Sequence, residues 1–361
     1  MRPWKHLLLS VAFVCNTTFA AQFCATNSAE LQTHLDTAAL NGQDDVIRLE
    51  TGTYTDNYTY SSIQPGGDAF DLTLDGGYTE FMGTPCGRRQ TLDPSATIID
   101  AGNGGRGLFF DGRTGTSLHI FGIGFINGVA TTDPQNRGGA IKVTGCCSGD
   151  MAELTIDNAL FMANTAEFDS ALSASFVDFI SVRNSVFSEN HATASQAVSI
   201  VVAGTGSHFI NNTVVNNTAA GGGGAGAYFA PSGTAEALVV NSIFWGNDNT
   251  DLRALTLQPV YVYNSTVDQF SGQAEEYEAN VAIAPEFQAG PLNFKLAPDS
   301  PLLDAGREPP LPIITLPFED DWDLPTFDYE GNDRILGQTV DIGAVETTPD
   351  RLFFNGFEAA P

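Results

Sequence analysis

The feature that most constrains this chain is a seven-residue phrase that keeps returning through its middle. Asn158-Ala-Leu-Phe161-Met-Ala-Asn164 is followed by Asn184-Ser-Val-Phe187-Ser-Glu-Asn190, then by Asn211-Asn-Thr-Val214-Val-Asn-Asn217 and Asn241-Ser-Ile-Phe244-Trp-Gly-Asn247. A fainter copy begins at Asn264, and Gly122-Ile-Gly-Phe125-Ile-Asn-Gly128 precedes the series. The leading Asn returns after 26, 27, 30 and 23 residues. A period in this range means a solenoid, because one such unit cannot bury its own apolar face and must stack on the next.

The units are β-rich. Asp178-Phe-Ile-Ser-Val-Arg-Asn-Ser-Val-Phe187 alternates with the two-residue period of a strand, as do Leu154-Thr-Ile-Asp157 and Ala237-Leu-Val-Val240. Gly, Ser, Asn and Ala lie between them and suit turns. Each unit has room for about three short strands and three corners, and stacking places neighbouring strands ~4.8 Å apart. The pattern predicts an all-β fold: a single-stack right-handed parallel β-helix of eight or nine turns, its hand following that of parallel crossovers. Phe161, Phe187, Val214 and Phe244 should form one buried column. The recurring Asn should occupy corners, where Asn tolerates left-handed backbone angles and its amide can bond its equivalents above and below.

The ends read differently. Residues 1–20 resemble a secretory signal peptide: a basic start at Met1 to His6, an apolar run from Leu7 to Val14, and small residues at Thr18-Phe-Ala20. No later segment has the continuous apolar length of a transmembrane helix. Residues 21–43 form an N-terminal cap, in which Leu31, Leu35, Ala38 and Ala39 share one face of a short capping helix. Asn27 and Glu30 suggest a capping box there, and Asn41-Gly42 a stop. The repeats occupy 44–280. Residues 281–346 form a C-terminal module with a proline-rich loop from Pro309 to Pro325. A linker and short tail follow at 347–361.

Charge excludes some functions. There are 43 acidic and 15 basic residues, a formal net charge of −28. That argues against nucleic acid and against an anionic membrane surface as partners. Such acidity in an exported protein reads as a solubility feature, with calcium binding as the sharper alternative, since hard cations want clustered oxygen ligands. No loop has a matching spacing: Asp320-Asp-Trp-Asp323 lacks the glycine and closing Glu of an EF-hand. The mature chain keeps Cys24, Cys86, Cys146 and Cys147. An even count in an exported chain points to disulfides, with the pairing open from spacing alone. No CxxC or paired His accompanies them, so a metal site is not expected.

With these residues in view, the repeats from about Asp44 to Asp268 resemble β-helix proteins with polymorphic-outer-membrane-protein-like repeats. Ser300-Pro-Leu-Leu-Asp-Ala-Gly306 resembles the choice-of-anchor Q module together with the run from Asp328 through Gly331, Asn332, Arg334, Gly337 and Asp341 to Glu346. Val345 stands where that family carries an aromatic. The resemblance implies export and architecture, and no particular catalysis. It also favours Cys24 with Cys86 as a disulfide tying the cap to an early turn. Leu352 to Glu358 is similar to short endings of exported proteobacterial proteins.

The sequence names no catalytic, cofactor-binding or metal residue. β-Helix glycoside hydrolases share Asn-Thr-Asp, Asp-Asp, Gly-His-Gly and Arg-Ile-Lys motifs; here Asn212-Thr213 runs into Val214, and His208 lacks its second glycine. A lyase needs a base opposite a cation or metal, whereas Lys142, Arg183 and Arg253 are isolated in sequence and read as solvated face residues. His119, His191 and His208 have no partner in sequence. Asp304, Asp328, Asp341 and Glu346 are expected to surround Arg334 and lock the module to the last turn. The expectation is a non-catalytic secreted or surface protein whose β-faces meet polysaccharide or another cell-surface component. The alternative is a polysaccharide lyase or glycoside hydrolase of the same fold.

Overall fold

A computed structural model describes residues 20–348, apart from 132–135, 147–150, 203, 222, 225, 256–257, 291 and 310–323. Residues 1–19 of the expected signal segment, the tail at 352–358, Cys147 and Asp320-Asp321 therefore lie outside the described residues, as does most of the proline-rich loop.

The described chain is a single-stack parallel β-helix. One turn runs through Val177–Arg183, Val186–Ser188 and Val198–Val201, and each strand pairs in parallel with its counterpart in the turns before and after. Strands of the first and second kind join into one 17-stranded sheet around the corner, and the third kind forms an 8-stranded sheet. Among the described residues the latter has eight rungs, while strands of the first kind make ten, the first of them Ala21–Ala25 in the cap. The register sets Phe125, Phe161, Phe187, Val214, Phe244 and Val267 side by side, all buried, so the expected column is present. The Phe161 and Phe187 rings stack with centroids 4.5 Å apart.

The recurring Asn form two ladders with different partners. Asn158, Asn184, Asn211, Asn241 and Asn264 have φ between 42° and 53° and turn the corner between the first and second kinds of strand, the first and second faces of that sheet. Gly122 takes that place, at φ +66°, in the preceding turn. The trailing Asn point inward. Asn164 donates to Asn190, Asn190 to Asn217 and Asn217 to Asn247, amide to amide at 2.8–2.9 Å, and Asn247 donates to Asp251. Each also donates to a buried backbone carbonyl, of Phe125, Phe161, Phe187 and Val214 in order. A buried carbonyl left unpaired would be costly, so these bonds tie the ladder to the sheet beside it.

The open first turn is covered by the helix Ser28–Ala38. Asn27 Oδ1 accepts the Glu30 N–H, while the Glu30 carboxylate accepts from the Thr26 amide and hydroxyl. Leu31, Leu35, Ala38 and Ala39 are buried, as the helical spacing predicts. The cap also contributes a five-residue strand, Ala21–Ala25, which pairs with Asp45–Glu50. Cys24 and Cys86 form a disulfide with Cα atoms 5.7 Å apart. It joins that strand to an antiparallel hairpin arm, Thr84–Arg89, that the repeat pattern does not foretell.

The C-terminal module meets the last turn at Thr266, which bonds Ile283, but it is not held there alone. Its described parts run back along the outside of the solenoid as a strap. Ala305 O accepts from Asn264, Arg307 O from Asn241, Asp341 O from Asn211, Phe327 O from Asn184 and Asp328 O from Asn158. The corner amides, freed by their left-handed backbone to face outward, thus read the strap's main chain. Beneath it Leu160, Val186, Val215 and Ile243 point outward from the second face and pack with Leu302, Tyr329, Ile342 and Val345. The strap has little regular structure of its own, and its carboxylates stand in for it. Asp328 accepts the N–H groups of Glu330, Asn332 and Glu346, Asp341 those of Asp304 and Thr347, and Asp304 those of Gln338 and Thr339.

Candidate functional site

Three places could carry chemistry, and the arrangement of side chains separates them. The first is the buried cluster of the strap. Arg334 pairs with Glu346 at 2.9 Å and donates to Asn184 Oδ1 and to the carbonyls of Gly343 and Ala344. Both side chains of the pair are almost fully enclosed. Burial raises the Glu346 carboxyl to about 8 and that of Asp341 to about 6, against the pull of Arg334. Arg334 therefore ties a carboxylate as expected, though to a central turn, and these acids serve the fold.

The second is a cleft of about 490 Å³ between the first sheet and the strap, bordered by Phe121, Asp157, Arg183 and Phe327. Arg183 is not an isolated face residue here. It grips Asp157 with two hydrogen bonds of 2.7 Å, across one rung of the sheet. Farther along the same sheet, Arg89 pairs with Asp75. The charges of this cleft are thus used up in pairs.

The third is a groove of about 390 Å³ on the outer face of the 8-stranded sheet. Alternation sends Leu172, Val198, Ala227 and Leu252 into the core and leaves Lys142, Ser173, Ser199, Tyr228 and Arg253 on the outside, in one row by register. The two serines form a low floor between bulkier ends. At one end Lys142 lies over the Phe109 ring, at the other Arg253 lies over Tyr228, at 5.5 and 5.4 Å. One wall is Arg137, over Phe168 at 4.7 Å, with Asp169 behind it. Asp169 is fully buried, accepts from Arg137 at 2.6 Å, from Ser173 and from Gln196, and its carboxyl is raised by burial. The side chain of Arg137 keeps 44% exposure. Cations held flat on rings keep their charge while losing rotational freedom.

Lys142 and Arg253, distant in sequence, are thus brought onto one face, and Lys142 is buried rather than solvated. Sequence reasoning missed Arg137, Asp169 and Tyr228. The only signal available was their cation–aromatic neighbours, Arg137 with Phe168 across 31 residues and Arg253 with Tyr228 across 25. His208 is buried against Phe179 and is pushed down to about 4 by burial, so it is neutral. His191 meets Thr218 at 2.8 Å, its neighbour in a 4-stranded sheet of two-residue strands, and His119 lies on the first sheet between Thr73 and Thr155. Among the described residues, the one grouping with metal-ligand spacing is Cys24, Glu50 and Cys86, and its two sulfurs are bonded to each other.

No family model matches the chain, and no curated protein matches it. Among solved structures it is similar to pectin methylesterase from Aspergillus niger, at 16% identity and a TM-score of 0.42 over 73% of this chain and 87% of the other. It is similar to pectate lyase Pel9A at 13% identity and a TM-score of 0.42, over 91% and 97%. These are distant likenesses in chain path, and the activities those enzymes are named for stay with them. The class defined by the fold is that of parallel β-helix proteins. Among the described residues no helix is long and apolar enough to cross a membrane.

Proposed function

We propose that this chain is an exported bacterial β-helix protein, secreted or held at the cell surface, that binds glycan on its outer sheets without cleaving it. The signal-like start, the disulfide and the resemblance of the strap to the choice-of-anchor Q module support export. The groove on the 8-stranded sheet is the binding face: concave, part aromatic, with a few convergent polar groups.

The observation that carries the non-catalytic reading is the state of Asp169. Among the described residues it is the one carboxylate lining the groove, and its two oxygens already accept from Arg137, Ser173 and Gln196. Glycoside hydrolysis needs two carboxyl groups flanking one bond. Elimination needs a base free to take a proton.

The test is to incubate protein spanning 21–361 with pectins, alginates and host-type glycans, with and without calcium. Retention of a glycan with no new reducing ends and no unsaturated products is expected. Product formation that is lost in Asp169→Asn would overturn the reading in favour of a lyase or hydrolase.

A further inference from the structure

We propose that the groove on the 8-stranded sheet selects an anionic glycan, a polymer carrying carboxylates, and that Arg253 and Arg137 are the residues that recognise the charge. The inference rests on the glycan-binding reading and adds the ligand class to it.

What marks Arg253 is its place. It is exposed at the end of the groove, it lies over the Tyr228 ring, and among the described residues no carboxylate is within ion-pair distance of it. Arg88, exposed over the Phe81 ring, is in a similar state but lies on the hairpin arm and does not line the groove, which makes it the matched control. On the first sheet, by contrast, Arg89 has Asp75 and Arg183 has Asp157. Arg137 spends one nitrogen on Asp169 and leaves nearly half its side chain open to the groove. A guanidinium in that state suits a carboxylate that arrives from outside, because its planar donors match two oxygens at once.

The groove also has a direction. Ser173, Ser199, Tyr228 and Arg253 come from four successive rungs, which at ~4.8 Å per rung give a trough of roughly 14 Å along the solenoid axis. An extended polymer laid along it would pass over the buried serines of the floor and meet an aromatic ring with its cation at the end. A nucleic acid would meet too few cations for its charge density. A flat anionic membrane would meet a wide surface of a protein whose net charge is −28, where a single strand meets only the groove.

The experiment compares polygalacturonate with its fully methyl-esterified form, by calorimetry and affinity electrophoresis, across low and moderate salt. The proteins are the wild type, Arg253→Gln, Arg137→Lys and the distant control Arg88→Gln. Arg253 has no carboxylate or hydrogen-bond partner among the described residues, so Arg253→Gln should fold normally, which a melting curve checks. The expected result is that polygalacturonate binds about tenfold more tightly than the ester. Arg253→Gln should lose most of that preference, salt should weaken it, and Arg88→Gln should keep it. Equal binding of both polymers, or a preference unchanged by Arg253→Gln, overturns the charge selection while leaving glycan binding in place. If neither polymer nor any neutral glycan binds, the glycan reading itself falls.

Discussion

At the scale of single residues, asparagine does two jobs that its sequence position does not distinguish. A corner Asn is chosen for its backbone. An interior Asn is chosen for its amide, which donates both to the next rung and to a strand carbonyl. The two should differ in what they cost to lose. In Asn217→Ala the Asn190 amide and main-chain N–H lose their acceptor and the Phe187 carbonyl its donor. The expected destabilisation is about 3 kcal/mol, since each buried unpaired group costs ~1–3. Asn264→Gly keeps the left-handed corner and loses one bond to the strap, and should cost under about 1 kcal/mol. Urea unfolding of the two variants checks the contrast; equal losses would mean that the interior ladder adds nothing. The heptapeptide made both sets of Asn visible, and the Phe column with them. It could not tell inward from outward amides, because both flank the same short strand.

At the scale of elements, the strap is held by a buried hydrogen-bonded cluster as much as by packing. Arg334 faces Glu346, Asp341 and Asp328 inside a closed space, and the carboxyls of Glu346 and Asp341 are raised by burial. A raised acid means that the folded state holds a proton the unfolded chain has released. Its contribution is full below the unfolded value near 4.5 and is lost as pH rises toward about 8. Protection of residues 324–347 against hydrogen exchange, corrected for intrinsic rates, should therefore fall between pH 5 and pH 8.5. Glu346→Gln should flatten that dependence, and a flat wild-type profile would contradict the protonated cluster. Part of this element could be read in advance: the spacing of acids around Arg334 foretold an ion pair. Its placement could not be, because the partner is Asn184, 150 residues away, and corner amides carry no mark of what they will bind. The groove was hidden for a similar reason. Its row is assembled from residues one turn apart, so Lys142, Tyr228 and Arg253 look solitary until the register is known.

At the scale of the whole molecule, a solenoid is quasi-one-dimensional and should unravel from its ends. The Cys24–Cys86 disulfide, spanning 62 residues, guards the first end, and the loop-entropy model gives it ~4 kcal/mol. Reduction should lower the melting temperature, with exchange protection lost first in Ala21–Ala25 and the capping helix; uniform loss along the chain would refute end-first unravelling. The interior Asn ladder has a further consequence. All its amides point the same way, so the row has a beginning and an end. It begins where Gly128 occupies the place of an Asn and gives its N–H to Asn164. It ends at Asp251, which accepts from Asn247 and has no amide to pass on. One glycine and one aspartate therefore act as the two marks of a ruler. A turn could be duplicated between them without breaking the row, whereas a turn added beyond Asp251 would have to start a new one, so the chain carries in its interior a record of where it can grow.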